Sequence, residues 1–183
     1  MRDNRKLNII DEAEKIIGIK TREEIHREGL LHKEIHVWFY TPKNEFIFQH
    51  RGKNQETNPN LLDATVGGHV EIGEDFEHAA SKELQEETGI QATADDLTLI
   101  KIVRNKKYDK VTNKTNNVKR AVYAYCFNGK ITDLKVEEGK AIGFETWPLE
   151  KIFNITKQDK IRFIPSIFDE ETLGIFKKIQ NLI

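Results

Sequence analysis

The sequence Val-Gly-Gly-His-Val-Glu-Ile-Gly-Glu-Asp-Phe-Glu-His-Ala-Ala-Ser-Lys-Glu-Leu-Gln-Glu-Glu-Thr-Gly-Ile occupies residues 66–90 and carries the strongest structural signal in the chain. Its first part is broken by glycines, which permit positive φ and close approach of the backbone to other groups. From about Asp75 to Glu87 the composition predicts a helix, whose acidic start suits the positive end of the helix dipole. Gly89 stands where a left-handed C-terminal cap is expected. The stretch therefore predicts a turn, a helix and a cap in succession.

Three carboxylates on this helix carry the chemical signal. Glu83, Glu86 and Glu87 are spaced i, i+3 and i+4, so they project from one helix face. Like charges at this spacing repel one another, and the C-terminal end of a helix is unfavourable for anions. A divalent cation that prefers oxygen ligands, such as Mg²⁺ or Mn²⁺, would turn this repulsion into binding. A solvated acidic face is the alternative interpretation of an isolated Glu-x-x-Glu-Glu.

The stretch resembles the Nudix box, Gly-x5-Glu-x7-Arg-Glu-U-x-Glu-Glu-x-Gly-U, where U is a bulky aliphatic residue. Eight of the nine fixed positions match in register: Gly68, Glu74, Glu83, Leu84, Glu86, Glu87, Gly89 and Ile90. The departure is Lys82, where the family usually has Arg. Lysine keeps the charge but lacks the planar fork that holds a carboxylate bidentately.

This resemblance implies an α/β fold, an α/β/α sandwich with a mixed sheet in which the box forms a loop-helix-loop. It also implies hydrolysis, dependent on Mg²⁺ or Mn²⁺, of a diphosphate linkage. The substrate would be a nucleoside di- or triphosphate, or a nucleoside diphosphate linked to another moiety. Glu83, Glu86 and Glu87 are then the expected metal ligands, with the Gly68 carbonyl as a further oxygen donor.

Attack of water on a diphosphate also needs a group that accepts the proton of the water. Glu86 or Glu83 is the expected catalytic residue for this step, and the sequence does not separate the two. Glu137 or Glu138, in a later loop, is the alternative, although a solvated loop glutamate is the plainer interpretation of each.

Basic side chains are expected to meet the diphosphate. Arg51 is the first candidate, because an arginine binds phosphate oxygens bidentately and this one follows a strand just upstream of the box. Lys53 and Arg22 are weaker candidates. Residues 104–120 are rich in lysine and arginine and are interpreted as a solvated hairpin tip or loop, with RNA binding as the less favoured alternative.

The composition is that of an ordinary globular protein. The chain has 183 residues, of which 38% are hydrophobic and 32% charged, and its net charge is −1. We therefore expect a single domain over residues 1–183, without affinity for membranes. The start of the chain does not read as a signal peptide, and the lone Cys126 suits a reducing cytoplasm. The oligomeric state is left open, a homodimer included.

Patterns of apolar residues outline the remaining elements. A hairpin is predicted at about 7–20, followed by a short connector ending near Gly29. A C-terminal helix is predicted at about 169–182. Strands are predicted at 35–40, 45–50, 97–103 and 121–127, with a further one from 143.

Three histidines stand near positions where isopentenyl diphosphate isomerases, in a branch that the chain also resembles, bind metal: His26, His32 and His69. Isomerase activity is disfavoured, because the catalytic cysteine of those enzymes falls at Gly67 and their acidic pair falls in a region that reads Asn116-Asn117. We therefore favour structural or solvated histidines and leave their role open. A further alternative is a catalytically weak Nudix-fold module that binds a nucleotide or RNA, which Lys82 and the basic segment motivate.

Overall fold

The computed structural model describes residues 4–183. The strands are β1 (Lys6–Ile10), β2 (Ile16–Thr21), β3 (His32–Thr41), β4 (Glu45–Arg51), β5 (Leu62–Asp63), β6 (Val66–His69), β7 (Leu97–Asp109), β8 (Lys114–Cys126) and β9 (Ala141–Pro148). The α-helices are α1 (Arg22–Glu28), α2 (Phe76–Thr88), α3 (Leu149–Phe153), α4 (Lys157–Lys160) and α5 (Glu170–Gln180). Within this part of the chain, no helix combines the length and apolar character that spanning a bilayer requires.

The main sheet is mixed, and it forks beside its central strand. On one side, β3 pairs with β8 in parallel over its whole length. On the other side, the end of β3 pairs with β4 at Phe39–Thr41, whereas its beginning pairs with β6 at Glu34–Val37. Strand β4 in turn pairs with β5 and β9. The two partners of β3 therefore diverge and leave a gap in the sheet between β4 and β6.

Each face of the sheet carries its own apolar core. On one face, Ile35, Val37 and Phe39 pack with Ala80 and Leu84 of α2. The opposite face is covered by α3 and α5, whose apolar side chains meet the strand aromatics Trp38, Tyr40 and Phe48. Side chains alternate between the two faces of a strand, which explains why odd and even positions of β3 join different cores. The predicted α/β/α sandwich is confirmed.

A small N-terminal unit packs beside the sheet. Strands β1 and β2 form an antiparallel pair where the sequence predicted a hairpin. The predicted connector after it is wrong, because residues 22–28 form helix α1. The helix begins with a capping box, in which the side chains of Thr21 and Glu24 satisfy each other's backbone N–H groups. The pattern Thr-x-x-Glu is visible in the sequence and predicts this start, so the signal was present.

Of the two interpretations of residues 104–120, hairpin tip and loop, the structure shows the hairpin. Strands β7 and β8 extend as a long antiparallel ribbon, and only 110–113 form its turn. Several of the basic side chains are paired with acids: Arg104 with Glu12, Lys119 with Glu14, Lys114 with Glu56 and Arg120 with Glu34. The charge of this ribbon is therefore partly neutralised within the chain itself.

Candidate active site

Helix α2 presents two of the box glutamates, Glu83 and Glu87, to the sheet. Its N-cap is Asp75, whose side chain accepts a hydrogen bond from the backbone N–H of His78 at 2.8 Å. It ends at Gly89, which has the left-handed φ of 72°. The helix begins near the predicted Asp75, and Gly89 forms the C-terminal cap that the sequence predicted. Because Ala80 and Leu84 are fully buried against the sheet, Glu83 and Glu87, which flank this stripe, are turned inward as well.

Gly68 is a glycine because Glu83 occupies the space beside it. A Cβ atom at Gly68 would lie 2.2 Å from the carboxyl carbon of Glu83. The missing side chain therefore allows strand β6 and a buried carboxylate to approach closely. The structure brings these two predicted site residues together.

Glu87 reaches the gap in the sheet. Its carboxylate accepts a hydrogen bond of 2.6 Å from the Gln49 side-chain amide and one of 3.3 Å from the Gly67 backbone N–H. Gln49 also donates to the Thr65 carbonyl at 3.3 Å. The Thr65 hydroxyl bridges the gap, since it accepts from the Phe39 N–H and donates to the Ile47 carbonyl. A polar network thus fixes the position of Glu87, which is 1% exposed.

Lys140 brings a positive charge to the buried carboxylates. Its ammonium nitrogen lies 2.5 Å from an oxygen of Glu87 and 3.6 Å from one of Glu83. A third carboxylate, Glu137, lies 3.3 Å from the same nitrogen. Sequence analysis missed Lys140, because no box position marks it and it is remote along the chain. Glu137, one of the two alternative bases, is brought to the edge of this cluster.

Burial is the largest cause of the pKa shifts of Glu83 and Glu87. It raises the pKa of Glu87 to about 7, although Lys140 and Gln49 act in the opposite direction. Burial also raises the pKa of Glu83, again against the charge of Lys140. Glu86, by contrast, is exposed. The carboxylates of Glu83 and Glu87 thus point inward to the Lys140 nitrogen, and Glu137 lies beside them. Carboxylate oxygens grouped in this way suit a hard divalent cation.

Lys82 does not hold a metal-site glutamate. Its ammonium lies 2.7 Å from Glu74 and 3.3 Å from Glu71. Glu74 also accepts a hydrogen bond from the backbone N–H of Glu71 at 2.9 Å. The lysine therefore fastens the turn before α2 to the helix, a task that a point charge can perform without a bidentate fork.

The predicted substrate-binding residues lie apart from one another. The guanidinium of Arg51 is 2.8 Å from Asp63 and also donates to the Thr57 and Asn58 carbonyls, so it holds the 51–63 loop in place. Lys53 is exposed on the same loop. Arg22 is the first residue of α1, where its charge acts on His26 and His69. Asp63 also lines a cleft on the α5 face of the sheet, together with His36, Trp38, Asn105 and Arg120.

The three histidines that the sequence singled out come together. His26 from α1, His32 from β3 and His69 from β6 lie with Glu34 in one group whose potential ligand atoms are all within 4.8 Å of one another. Burial lowers the pKa of His26 and of His69 below the usual range. Of the two interpretations, structural and solvated histidines, burial excludes the solvated one for His32, which is 0% exposed. Glu34 had no signal in the sequence that set it apart from other strand glutamates.

Comparison with known proteins identifies the family. The model of the NUDIX domain matches residues 30–167. That range contains the box, the forked sheet and Lys140. The chain belongs to the Nudix family.

Individual relatives agree with this assignment. An uncharacterized Nudix hydrolase of Clostridium acetobutylicum is 31% identical over 140 residues, which are 75% of this chain and 66% of that protein. The chain thus spans just under two thirds of the length of this relative. Among solved structures, the protein DR0079 of Deinococcus radiodurans covers 95% of this chain and 98% of its own, with 16% identity and a TM-score of 0.68. The NUDIX domain of Shewanella oneidensis NrtR, complexed with ADP ribose, covers 83% and 88% with 12% identity and a TM-score of 0.58.

Proposed function

We propose that this protein hydrolyses a diphosphate linkage in a nucleoside di- or triphosphate, or in a nucleoside diphosphate joined to another group, with Mg²⁺ or Mn²⁺ as cofactor. The observation that carries the proposal is the placement of two buried carboxylates, Glu83 and Glu87, around a single cationic nitrogen. Burial of two like charges is costly unless a cation compensates them. A site of this kind is suited to cations.

Glu83, Glu86 and Glu87, with the Gly68 carbonyl, would hold the divalent ion. When bound, the ion would neutralise charge on the diphosphate and acidify a water molecule. Gln49 keeps the Glu87 carboxylate in one orientation through its 2.6 Å hydrogen bond. Gly68 leaves room for Glu83 beside β6. These contacts fix the ligands in advance, which reduces the cost of ordering them on binding.

Glu86 is the best placed of the box glutamates to accept a proton from water. It is exposed, and within residues 4–183 its side chain takes part in none of the ion pairs that engage Glu83 and Glu87. A base needs contact with the attacking water and a free lone pair, and both conditions hold for Glu86. Glu83 is buried beside Glu87 and Lys140, so we assign it as a metal ligand and not as the base.

The substrate class is supported by a fold neighbour. The NrtR domain was crystallised with ADP ribose, a diphosphate compound that also contains a nucleoside.

A substrate screen tests the proposal. Nucleoside diphosphates, triphosphates, dinucleotides and nucleoside diphosphate sugars are incubated with Mg²⁺ or Mn²⁺, and release of phosphate, pyrophosphate or nucleoside monophosphate is measured. Glu86→Gln is expected to lower kcat about a thousandfold, within the range for loss of a general base and a metal ligand together. The matched control is Glu77→Gln, an exposed position on the same helix, which should retain activity. Full turnover by Glu86→Gln would contradict the assignment.

A second candidate function is a nucleotide-binding module with little activity. It is favoured by Lys140, which neutralises the buried carboxylates within the chain itself. Calorimetry with the same nucleotides separates the two candidates, because a binding module would take up nucleotide without metal-dependent product release.

A further inference from the structure

Lys140 lies between an inner and an outer group of carboxylates. Its ammonium nitrogen is 2.5 Å from Glu87 and 3.6 Å from Glu83, both of which are buried. The same nitrogen is 3.3 Å from Glu137, whose side chain is 43% exposed. The nitrogen therefore stands at the boundary between the buried carboxylates and the solvent, and it is within reach of both groups.

The ammonium compensates the buried pair only in part. Glu83 and Glu87 together carry two negative charges when both are ionised, whereas a lysine supplies one positive charge. The distance of 3.6 Å to Glu83 is also longer than a good hydrogen bond. Because a buried charge without compensation is costly, the pair favours a doubly charged cation over an ammonium. Lys140 is thus a cation that a divalent ion can replace.

The backbone of Lys140 is fixed, although its side chain is long. The Lys140 carbonyl accepts a hydrogen bond of 2.9 Å from the Gly52 N–H, and the Lys140 N–H donates to the Glu137 carbonyl at 3.1 Å. The Gln55 side-chain amide donates to the adjacent Gly139 carbonyl at 3.0 Å. A lysine ammonium stands at the end of a flexible four-carbon stem. Rotation of the side chain alone can therefore carry the nitrogen outward from the buried pair, without displacement of the turn.

The other cations near the box are held by partners of their own. Lys82 is paired with Glu74, and Arg51 is paired with Asp63. Lys140, by contrast, pairs directly with both inward glutamates of α2. A diphosphate that approaches these glutamates meets their negative charge, so a positive charge at their rim favours its binding. An ammonium beside Glu137 would provide that charge.

We propose that Lys140 is an exchangeable cation with two positions, an inner one in the metal-free protein and an outer one when the box holds a divalent ion. In the inner position the ammonium lies between Glu83 and Glu87 and competes with the ion. In the outer position it lies beside Glu137 and binds a phosphate group of the substrate. An ammonium has three donors, so it can contact a carboxylate and a phosphate oxygen together. This inference rests on the proposed function, since it takes the box glutamates as metal ligands.

Calorimetry without turnover tests the exchange. Mg²⁺ is titrated into the metal-free wild type and into Lys140→Met, and imidodiphosphate, a diphosphate analogue that resists hydrolysis, is then titrated into each at saturating Mg²⁺. Lys140→Met should bind Mg²⁺ about tenfold more tightly, the gain if the lysine fills the inner position in about nine tenths of the molecules. The same variant should bind imidodiphosphate about tenfold more weakly, because a charge-assisted hydrogen bond is lost. A general loss of structure would weaken both. Lys135→Met, at an exposed lysine shortly before the turn, is the control.

Glu137→Gln tests the outer position, and it changes an exposed side chain that folding does not require. Without this carboxylate the ammonium should favour the inner position, so Mg²⁺ affinity should fall about two- to fivefold, the size of a half-exposed ion pair. The double variant Lys140→Met/Glu137→Gln should bind Mg²⁺ as tightly as Lys140→Met alone, because the effect acts through the lysine. Glu138→Gln, at the exposed neighbour, is the control.

The outcomes separate this inference from the proposed function. If Lys140→Met binds Mg²⁺ no more tightly than the wild type, or Glu137→Gln leaves Mg²⁺ affinity unchanged, the exchange is overturned while the metal site stands. If the loss in Glu137→Gln persists in the double variant, Glu137 is itself a metal ligand and the outer position is overturned. If neither the folded wild type nor Lys140→Met binds Mg²⁺, the box is not a metal site and the proposed function fails as well.

Discussion

The two faces of strand β6 adjoin two different clusters of ionisable side chains. On one face, Gly68 makes room for Glu83, and the carboxylates there surround Lys140. On the other face, His69 joins His32 and Glu34. The first cluster is rich in carboxylates and borders solvent through Glu86, whereas the second is buried and consists mainly of imidazole rings. Gly68 and His69 are neighbours in β6 and yet adjoin different clusters, because successive residues of a strand face opposite sides of the sheet.

The largest expected effect comes from filling the space at Gly68. Gly68→Ala would place a methyl group 2.2 Å from the carboxyl carbon of Glu83, so the carboxylate or the strand must shift. We expect kcat/KM to fall by about a hundredfold or more, because misplacement of a catalytic group by about 1 Å has effects of this size. Steady-state kinetics with the substrate found in the screen measures it.

The neighbouring glycine provides the matched control for this variant. A Cβ at Gly67 would meet the His36 ring at 3.3 Å, on the opposite face of the strand. Gly67→Ala should therefore affect activity much less. If the two variants are equally impaired, the distinction between the faces of β6 does not determine the activity.

The second-largest expected effect is a loss of stability when the charge of Lys140 is removed. Lys140→Met leaves Glu83 and Glu87 without their cation, and we expect the metal-free protein to lose about 2 kcal/mol of stability. This is below the usual cost of breaking a buried pair, because a third of the Lys140 side chain is exposed. Chemical denaturation in chelator measures the loss, and saturating Mg²⁺ should recover part of it. Lys151→Met, at an exposed ion pair with Asp159, is the control.

The smallest expected effect is a change of Mg²⁺ affinity with pH at the box glutamates. With a pKa of about 7, Glu87 is mostly protonated at pH 6 and mostly ionised at pH 8. Apparent Mg²⁺ affinity of the box should therefore rise about tenfold between these values, the ratio of the ionised fractions. Calorimetric titration at both pH values measures it. A Glu87→Gln variant should show no such rise, and an equally steep rise in that variant would exclude Glu87 as its source.

Stability should respond to acid in opposite ways at the two clusters. The folded pKa of Glu87 is raised above the ordinary 4.5, so its contribution is full below about pH 4.5 and is lost as the pH rises through about 7. Burial alone would raise the pKa of Glu34, but Arg120, His32 and His69 bring it well below 4.5. The contribution of Glu34 is therefore present above pH 4.5 and is lost on acidification below it.

The box could be predicted residue by residue because its signals are local. Helix spacing places Glu83, Glu86 and Glu87 on one face, and the caps at Asp75 and Gly89 lie within one turn of the helix ends. Helix α1 was missed although Thr21 and Glu24 form a capping box, since its seven residues are too few to show apolar periodicity. Strand β7 was predicted too short because its second half alternates charged and polar residues instead of apolar ones.

Contacts between distant segments could not be predicted in the same way. Lys140 meets Glu87 only because β9 pairs with β4 and brings the preceding turn to the gap in the sheet. Glu34 and Arg120 meet because β3 and β8 run parallel in a register that pairs these two residues. Such registers depend on the packing of both apolar cores, and no short stretch of sequence encodes them.

The sequence by itself therefore determined the family, the box helix and the carboxylates on its face, because these depend on interactions within one or two helical turns. Only the tertiary structure decided that Lys140 neutralises those carboxylates, that Arg51 is bound to Asp63, and that three histidines converge on Glu34. The physical reason is that these contacts join residues tens of positions apart. Their geometry is fixed by strand pairing and burial, which are properties of the whole chain.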